Sequence, residues 1–220
     1  MMPKHTLYLV RHGELIVEER HRFLGQLDVP LSPGGIGQAR TLHKMFRRVS
    51  LSRVYCSDLS RSRETAEIIV GTRGIPLRAC VELREVSLGL WEGCALSDIR
   101  SRYPKQFRAR GEDLARYQPP GGESFEDCQT RVRTTIQKIL AHPPGEYLIV
   151  GHAGVNRVIL CEALAVPLAE LFRIPQDYGC LNVVEYEGGA GRVKLLNFNF
   201  KNALQEANPV ASERDAVFVS

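Results

Sequence analysis

The sequence predicts an α/β protein: three layers, α/β/α, around a mostly parallel central sheet, with an antiparallel edge and a helical insertion over a site at the strand ends. Three observations carry this expectation. The apolar runs Leu7-Tyr8-Leu9-Val10 and Tyr147-Leu148-Ile149-Val150 read as strands buried on both faces. Stretches of helical spacing alternate with such runs, the pattern of parallel strands joined by helices. Late in the chain, Asn182 to Tyr186 and Val193 to Phe198 alternate in polarity around a glycine-rich turn, a closing hairpin.

The elements follow in order. The first run stops at Arg11-His12-Gly13-Glu14, where Gly13 permits a sharp turn or a close approach. Residues past the carboxyl end of such a strand are where open α/β sheets place ligands. From Glu14 to Leu31 the chain is polar and reads as a loop. Ser32-Pro33 starts a helix, with Ser32 as cap and Pro33 at the first position. Ile36, Ala39, Leu42, Met45 and Phe46 form its apolar face, while glycines 34, 35 and 37 are expected to weaken its first turn. Val54-Tyr55-Cys56 is a short strand leading into a helix through about Val70. The polar start of that helix (Ser57 to Ala66) is a natural anion site, because free N–H groups and the dipole point at a ligand. Pro76 to Ala79 is a further strand.

Leu83 to Gly93 is a loop with Glu82, Glu85, Glu92 and the single tryptophan, Trp91, in or beside it. Residues 95–120 read as a polar, arginine-rich helical insertion, ended by Pro119-Pro120-Gly121-Gly122. Glu123-Ser124 opens a helix with Phe125, Cys128, Val132, Ile136, Ile139 and Leu140 at helical spacing. The second long strand ends in Gly151-His152-Ala153-Gly154, and a helix runs on to about Ala165 with Val155, Val158, Ile159 and Ala163 inward. Residues 1–200 are expected to form a single domain and 201–220 a tail.

Composition excludes several classes. A chain of 220 residues, 44% hydrophobic and 25% charged, has the balance of an ordinary folded protein with a sizeable core. Its net charge of +4 suits anionic ligands, but the Lys and Arg are scattered rather than striped, so nucleic acid is not an expected partner. There is no run of about eighteen apolar residues, hence no expected membrane helix. The start of the chain is too short for a signal h-region. The six cysteines form no C-x-x-C pair and match no zinc spacing. Reduced, buried thiols and a cytoplasmic location follow as the expectation. The residues leave oligomeric state open, a homodimer included.

Two strand ends therefore offer histidines, His12 and His152. Arg11 beside His12 favours the neutral, nucleophilic imidazole. The same arginine repels a cation, and H-E-x-x-H, H-x-H and aspartate-rich strand ends are all missing, so no metal is expected. Arg61, at a helix start after a strand, suits phosphate because its planar fork donates parallel hydrogen bonds. For Arg63 a solvated helix face is the better reading, as it is for each of Arg102, Arg108, Arg110 and Arg116, which could otherwise meet a second anionic group. Neither a Walker loop nor G-x-G-x-x-G occurs, which argues against nucleotide-dependent chemistry. Releasing an alcohol from a phosphate ester requires a proton donor, but composition does not choose among Glu82, Glu85 and Glu92.

The run Leu9-Val10-Arg11-His12-Gly13-Glu14 resembles the signature of the histidine phosphatase superfamily, the phosphoglycerate-mutase-like fold. Further segments resemble that family in its order: Gly25-Gln26 with Asp28 and Pro30-Leu31-Ser32; Ser57-Asp58-Leu59-Ser60-Arg61 with Thr65-Ala66; Leu83-Arg84-Glu85 with Gly89 and Trp91-Glu92-Gly93; Gly121-Gly122-Glu123-Ser124; and Val150 to Gly154. The resemblance implies a metal-independent phosphomonoesterase without cofactor, acting on a small phosphorylated metabolite. His12 becomes a phosphohistidine, Arg11, Arg61 and His152 surround the phosphoryl group, and Glu85 is the proton donor. It places Gly25, Gln26 and Ala153 at the substrate, the last at the start of the helix after His152. The Arg22-to-Asp28 loop resembles the subgroup of α-ribazole phosphatases, pointing to α-ribazole 5′-phosphate. The family's usual Thr and Asn after R-H-G-E are replaced here by Leu15 and Glu18. The alternatives are a cofactor-dependent phosphoglycerate mutase and a catalytically silent phospho-ligand-binding protein.

Overall fold

The computed structural model describes residues 4–16 and 22–199. Its strands are β1 (Lys4–Arg11), β2 (Leu51–Cys56), β3 (Leu77–Ala79), β4 (Glu146–Gly151), β5 (Leu181–Glu187) and β6 (Ala190–Phe198). They form a six-stranded sheet in the order β3-β2-β4-β1-β5-β6. β1, β2, β3 and β4 pair in parallel, and β5 and β6 close the sheet as an antiparallel edge.

Successive side chains of a strand face opposite ways, and here both directions are dry. Val10, Val54, Cys56, Leu148 and Val150 face α1 (Pro33–Phe46) and α2 (Ser60–Val70). Leu7, Leu9, Tyr55, Tyr147 and Ile149 face α5 (Phe125–Leu140) and α6 (Ala153–Leu164). That is why the strand sequences are continuous apolar runs and why the expected three layers form. The helix starts follow their caps: Ser32 Oγ accepts from Gly35 N–H at 3.0 Å, and Ser124 with Asp127 makes a capping box.

Two local expectations need correction. Gly35 is no mere weak point of α1. A Cβ on it would overlap the Glu14 backbone, and one on Gly13 would overlap Gly35 itself. The pair lets the chain just past His12 lie directly on the first turn of α1. The insertion, in turn, is two short helices, α3 (Leu96–Arg102) and α4 (Pro104–Glu112), and residues 113–120 are not helical. Pro104 supplies no N–H and pushes Tyr103 out of the helical region, to φ −129°, ψ 54°. Trp91, only 1% exposed, lies with its ring against Phe23 and Tyr117, both 5.6 Å away between centroids, and so pins the insertion to the loop before α1. The 201–220 segment and Glu18 lie outside the described residues. Among the described residues no helix is long and apolar enough to cross a membrane.

Candidate active site

β1 and β4 are neighbours, so their parallel ends bring His12 and His152 together, with ring centroids 5.1 Å apart. Both are buried. The His12 backbone is tied on both sides, its N–H to Gly151 O and its O to the Gly179 N–H, each at 3.1 Å. Its Nδ1 lies 2.8 Å from Gly13 O. A carbonyl oxygen only accepts, so Nδ1 carries the proton and Nε2 keeps its lone pair. Burial, then the nearby Arg11 and Arg61 charges, hold the His12 pKa well below its ordinary value, with the Gly13 carbonyl opposing them. His12 is therefore a neutral imidazole with an available nucleophilic nitrogen.

His152 is depressed in the same direction, first by burial and then by its place beside His12 and the Arg61, Arg11 and Arg131 guanidiniums. Its Nε2 meets Ser57 Oγ at 2.6 Å, while its buried Nδ1 has no protein partner. Ser57 was not singled out from the sequence; it stands where β2 ends beside β4, a neighbourhood that only the sheet order reveals.

Arg61 is 2% exposed and donates to Leu27 O at 2.5 Å and Gly25 O at 2.7 Å, which leaves a buried Nε without a partner. Arg11 donates to Gln176 O at 2.5 Å, its guanidinium lies 3.7 Å from the Tyr178 ring centroid, and its Nε too is buried and unpartnered. Thr65 Oγ1, bonded to Arg61 O at 2.7 Å, accepts from the Gly13 N–H at 3.2 Å and ties Arg61 to the turn after His12.

The start of α2 is not an open anion site. Asp28 fills it, accepting from Ser60 N–H and Ser60 Oγ at 2.9 and 2.7 Å. An internal carboxylate has taken the position that polarity and dipole suggested for a ligand. Similarly, the Gly154 N–H at the start of α6 donates to the Glu85 carboxylate, 3.0 and 3.1 Å from its two oxygens. Of the three glutamates, Glu85 alone lines the cavity, together with Arg11, His12 and Arg61. Glu92 instead accepts from the Gln26 and Leu88 N–H groups. Gln26 does not line the cavity; its Nε2 donates to the Glu85 carbonyl at 3.0 Å. Arg131, paired with Glu123 at 2.5 Å, donates to that carbonyl at 3.2 Å and to Glu82 O at 2.6 Å. The Gly121-Gly122-Glu123 segment thereby acts as a brace: Gly122 packs on the Ser87 backbone and Glu123 accepts from Ser87 N–H at 3.0 Å.

Gly25 and Ala153 line the cavity, and Leu15, which bridges Leu31, lines it too. The cavity has a volume of about 280 Å³, and its lining also includes Phe23, Phe125, Phe172, Arg110 and Arg157. Tyr178 and Phe172 were missed because they come from segments far along the chain with no pattern of their own, and Arg157 because nothing on its helix marks it out from the chain's other arginines. A neutral histidine with a free lone pair, two guanidiniums with unspent donors and a carboxyl group across the same cavity make a site for moving a phosphoryl group.

Comparison with known families matches residues 7–199 to the histidine phosphatase superfamily, branch 1, and the chain belongs to it. Relatives narrow the class. The adenosylcobalamin/α-ribazole phosphatase of Salmonella typhimurium is 33% identical over 192 residues, 87% of this chain and 95% of the relative. The α-ribazole phosphatase of Shigella flexneri superposes with a TM-score of 0.81 at 28% identity, covering 88% of this chain and 96% of the other. Bacillus stearothermophilus YhfR gives 0.80 at 36% identity, covering 87% and 96%. The protein is a phosphatase that hydrolyses phosphomonoesters.

Proposed function

We propose that this phosphatase works through a phosphohistidine at His12 and that its substrate is α-ribazole 5′-phosphate or a close analogue. The carrying observation is the Nδ1 contact with Gly13 O, which leaves Nε2 as the nucleophile among Arg11, Arg61 and His152. In the first step the Nε2 lone pair forms a bond to phosphorus, the bond from phosphorus to the ester oxygen breaks, and Glu85 gives that oxygen a proton. In the second, Glu85 takes a proton from water, the water oxygen attacks phosphorus, and the P–N bond breaks to release orthophosphate. Arg11, Arg61 and the Nδ1–H of His152 hold the phosphoryl oxygens. For His152 this requires Ser57 Oγ to donate to Nε2, which fixes the tautomer. The guanidiniums supply the charge stabilisation that such a transfer needs.

The similarity to α-ribazole phosphatases and the three phenylalanines lining the cavity support a substrate with a flat, apolar group beyond its phosphate. A cytoplasmic setting is supported by the six unpaired cysteines, five of them buried.

Single-turnover quenching with radiolabelled α-ribazole 5′-phosphate tests the reading. Label that survives alkali, is lost in acid and maps to the His12 peptide is the expected result. Turnover without such label, or label retained in His12→Ala, overturns it. Transfer of the label to a second hydroxyl instead of water would indicate a mutase.

A further inference from the structure

The guanidinium of Arg11 is seated by a part of the chain that carries no helix or strand. It donates to Gln176 O at 2.5 Å and lies 3.7 Å from the Tyr178 ring centroid. Both partners belong to residues 174–180, which fall between the last short helical turn and β5. The far end of that stretch is tied to β1, the Arg11 N–H donating to Cys180 O at 3.2 Å and the Gly179 N–H to His12 O at 3.1 Å. Its near end, where the Gln176 carbonyl stands, is held by a cluster of buried side-chain amides.

Gln176 is 4% exposed, and Asn156 and Asn182 are fully buried. Asn182 opposes Leu9 across β5 and β1. Its Nδ2 donates to Leu9 O at 3.2 Å, and its Oδ1 accepts from the Asn197 N–H at 2.8 Å. One of these backbone groups only accepts and the other only donates, so the orientation of the Asn182 amide is fixed. Gln176 pairs with it reciprocally: Gln176 Nε2 donates to Asn182 Oδ1 at 2.9 Å, and Asn182 Nδ2 to Gln176 Oε1 at 3.1 Å. Asn156, in the first turn of α6, adds a third arm by donating to Gln176 Oε1 at 3.1 Å. That direction leaves Asn156 Oδ1 buried without a partner. Asn197, at a φ of 50°, clasps Asp177 beside Gln176, accepting from its N–H at 2.7 Å and donating to its carboxylate at 3.0 Å.

Burying amides costs more than burying apolar groups of the same size, and one acceptor here stays unpaired. In return, directional donors and acceptors select a single arrangement, which apolar packing does not. None of the four amide side chains lines the cavity. Their common output is the place of the Gln176 carbonyl, and through it the Arg11 guanidinium. We propose that Gln176 is a positioning residue for phosphoryl transfer: its side chain, locked by Asn182 and Asn156, holds its own carbonyl and the adjoining Tyr178 ring so that Arg11 is aimed at the phosphoryl group. The inference rests on the reading that Arg11 holds the phosphoryl oxygens, and it names what places that arginine.

The test is a double-mutant cycle between Gln176→Leu and Arg11→Ala, read as kcat/KM on 4-nitrophenyl phosphate and as the inhibition constant of inorganic phosphate. With Arg11 present, Gln176→Leu should lower kcat/KM about tenfold and raise the inhibition constant by a similar factor, since small misplacements of a positioned group are costly. In the Arg11→Ala background the same substitution should change either quantity by less than about twofold, because its target is gone. The inhibition constant does not depend on how much of the protein is folded. Asn156→Ala, which removes one arm and no backbone contact of Arg11, should show the same pattern at about threefold, and it carries the cycle alone if Gln176→Leu does not fold. Equal losses with and without Arg11 overturn the positioning role, as does an unchanged inhibition constant in both variants. If Arg11→Ala itself leaves the inhibition constant unchanged, the phosphate-holding role of Arg11 falls first, and the role of Gln176 with it.

Discussion

Arg61 and Arg110 line the same cavity but are held by different means. Arg61, at the floor, is 2% exposed, gripped by two backbone carbonyls and tied through Thr65 to the turn after His12. Arg110, on the cover, comes from a helix with no fully buried residue and leans on two rings. The floor is built from strand ends whose backbone the sheet fixes, and the cover from short helices pinned chiefly at Trp91. Groups that must meet a reacting phosphorus need sub-ångström placement, which packed strands provide. Groups that select the rest of the substrate tolerate a looser frame.

The separation can be broken at the floor first. His12→Ala should lower kcat about a thousandfold or more on every substrate, in a steady-state assay of phosphate release. A fall confined to one substrate would mean that His12 serves recognition rather than chemistry. Glu85→Gln should be selective instead. Alkyl phosphates, whose leaving oxygen needs a proton, should slow by roughly a hundred- to ten-thousandfold, and nitrophenyl phosphate far less. Equal losses on both would remove Glu85 from the role of acid.

The floor also sets a pH signature. His12 and His152 both titrate well below the ordinary histidine value of 6.5. The unfolded chain therefore binds more protons than the folded one once the pH drops below that value. Stability, followed by urea unfolding, should be full above about pH 6.5 and decline as the pH falls towards the depressed folded-state values. Replacing His152 with Asn should flatten that decline. The smallest effect is expected at the seam between floor and cover. Gln26→Ala removes one bond to the Glu85 carbonyl, worth about 1 kcal/mol. The kcat on an alkyl phosphate should drop about fivefold while the inhibition constant of inorganic phosphate stays the same. A matching rise in that constant would show that Gln26 touches phosphate after all.

Much of the floor was legible before folding. Arg11, His12, Arg61 and His152 each stand beside a strand-like run or a helix start, and such positions converge in a parallel sheet. The layer order, the hairpin edge, the cap at Ser32 and the helix start at Glu123-Ser124 were legible for the same reason: they depend on period, hydropathy and local hydrogen bonding. The misreadings share a cause as well. The start of α2 looked open until Asp28, thirty-two residues before Ser60, closed it. Gln26 looked like a ligand contact until the chain brought Glu85 beneath it. Gly35 looked like a flaw in a helix until Glu14 was laid against it.

Apart from the insertion, where residues 113–120 are not helical, the sequence by itself determined the main strands and long helices and which residue types stand at the strand ends, because those are short-range properties of the chain. The family resemblance had already named Glu85; only the tertiary structure decided which contacts hold it across the cavity from His12, which helix ends remain available, and that Arg110 rather than Arg116 reaches the cavity. Those outcomes depend on contacts between segments tens of residues apart, where a hydrogen bond, a buried ring or the missing Cβ of a glycine selects one pairing among many.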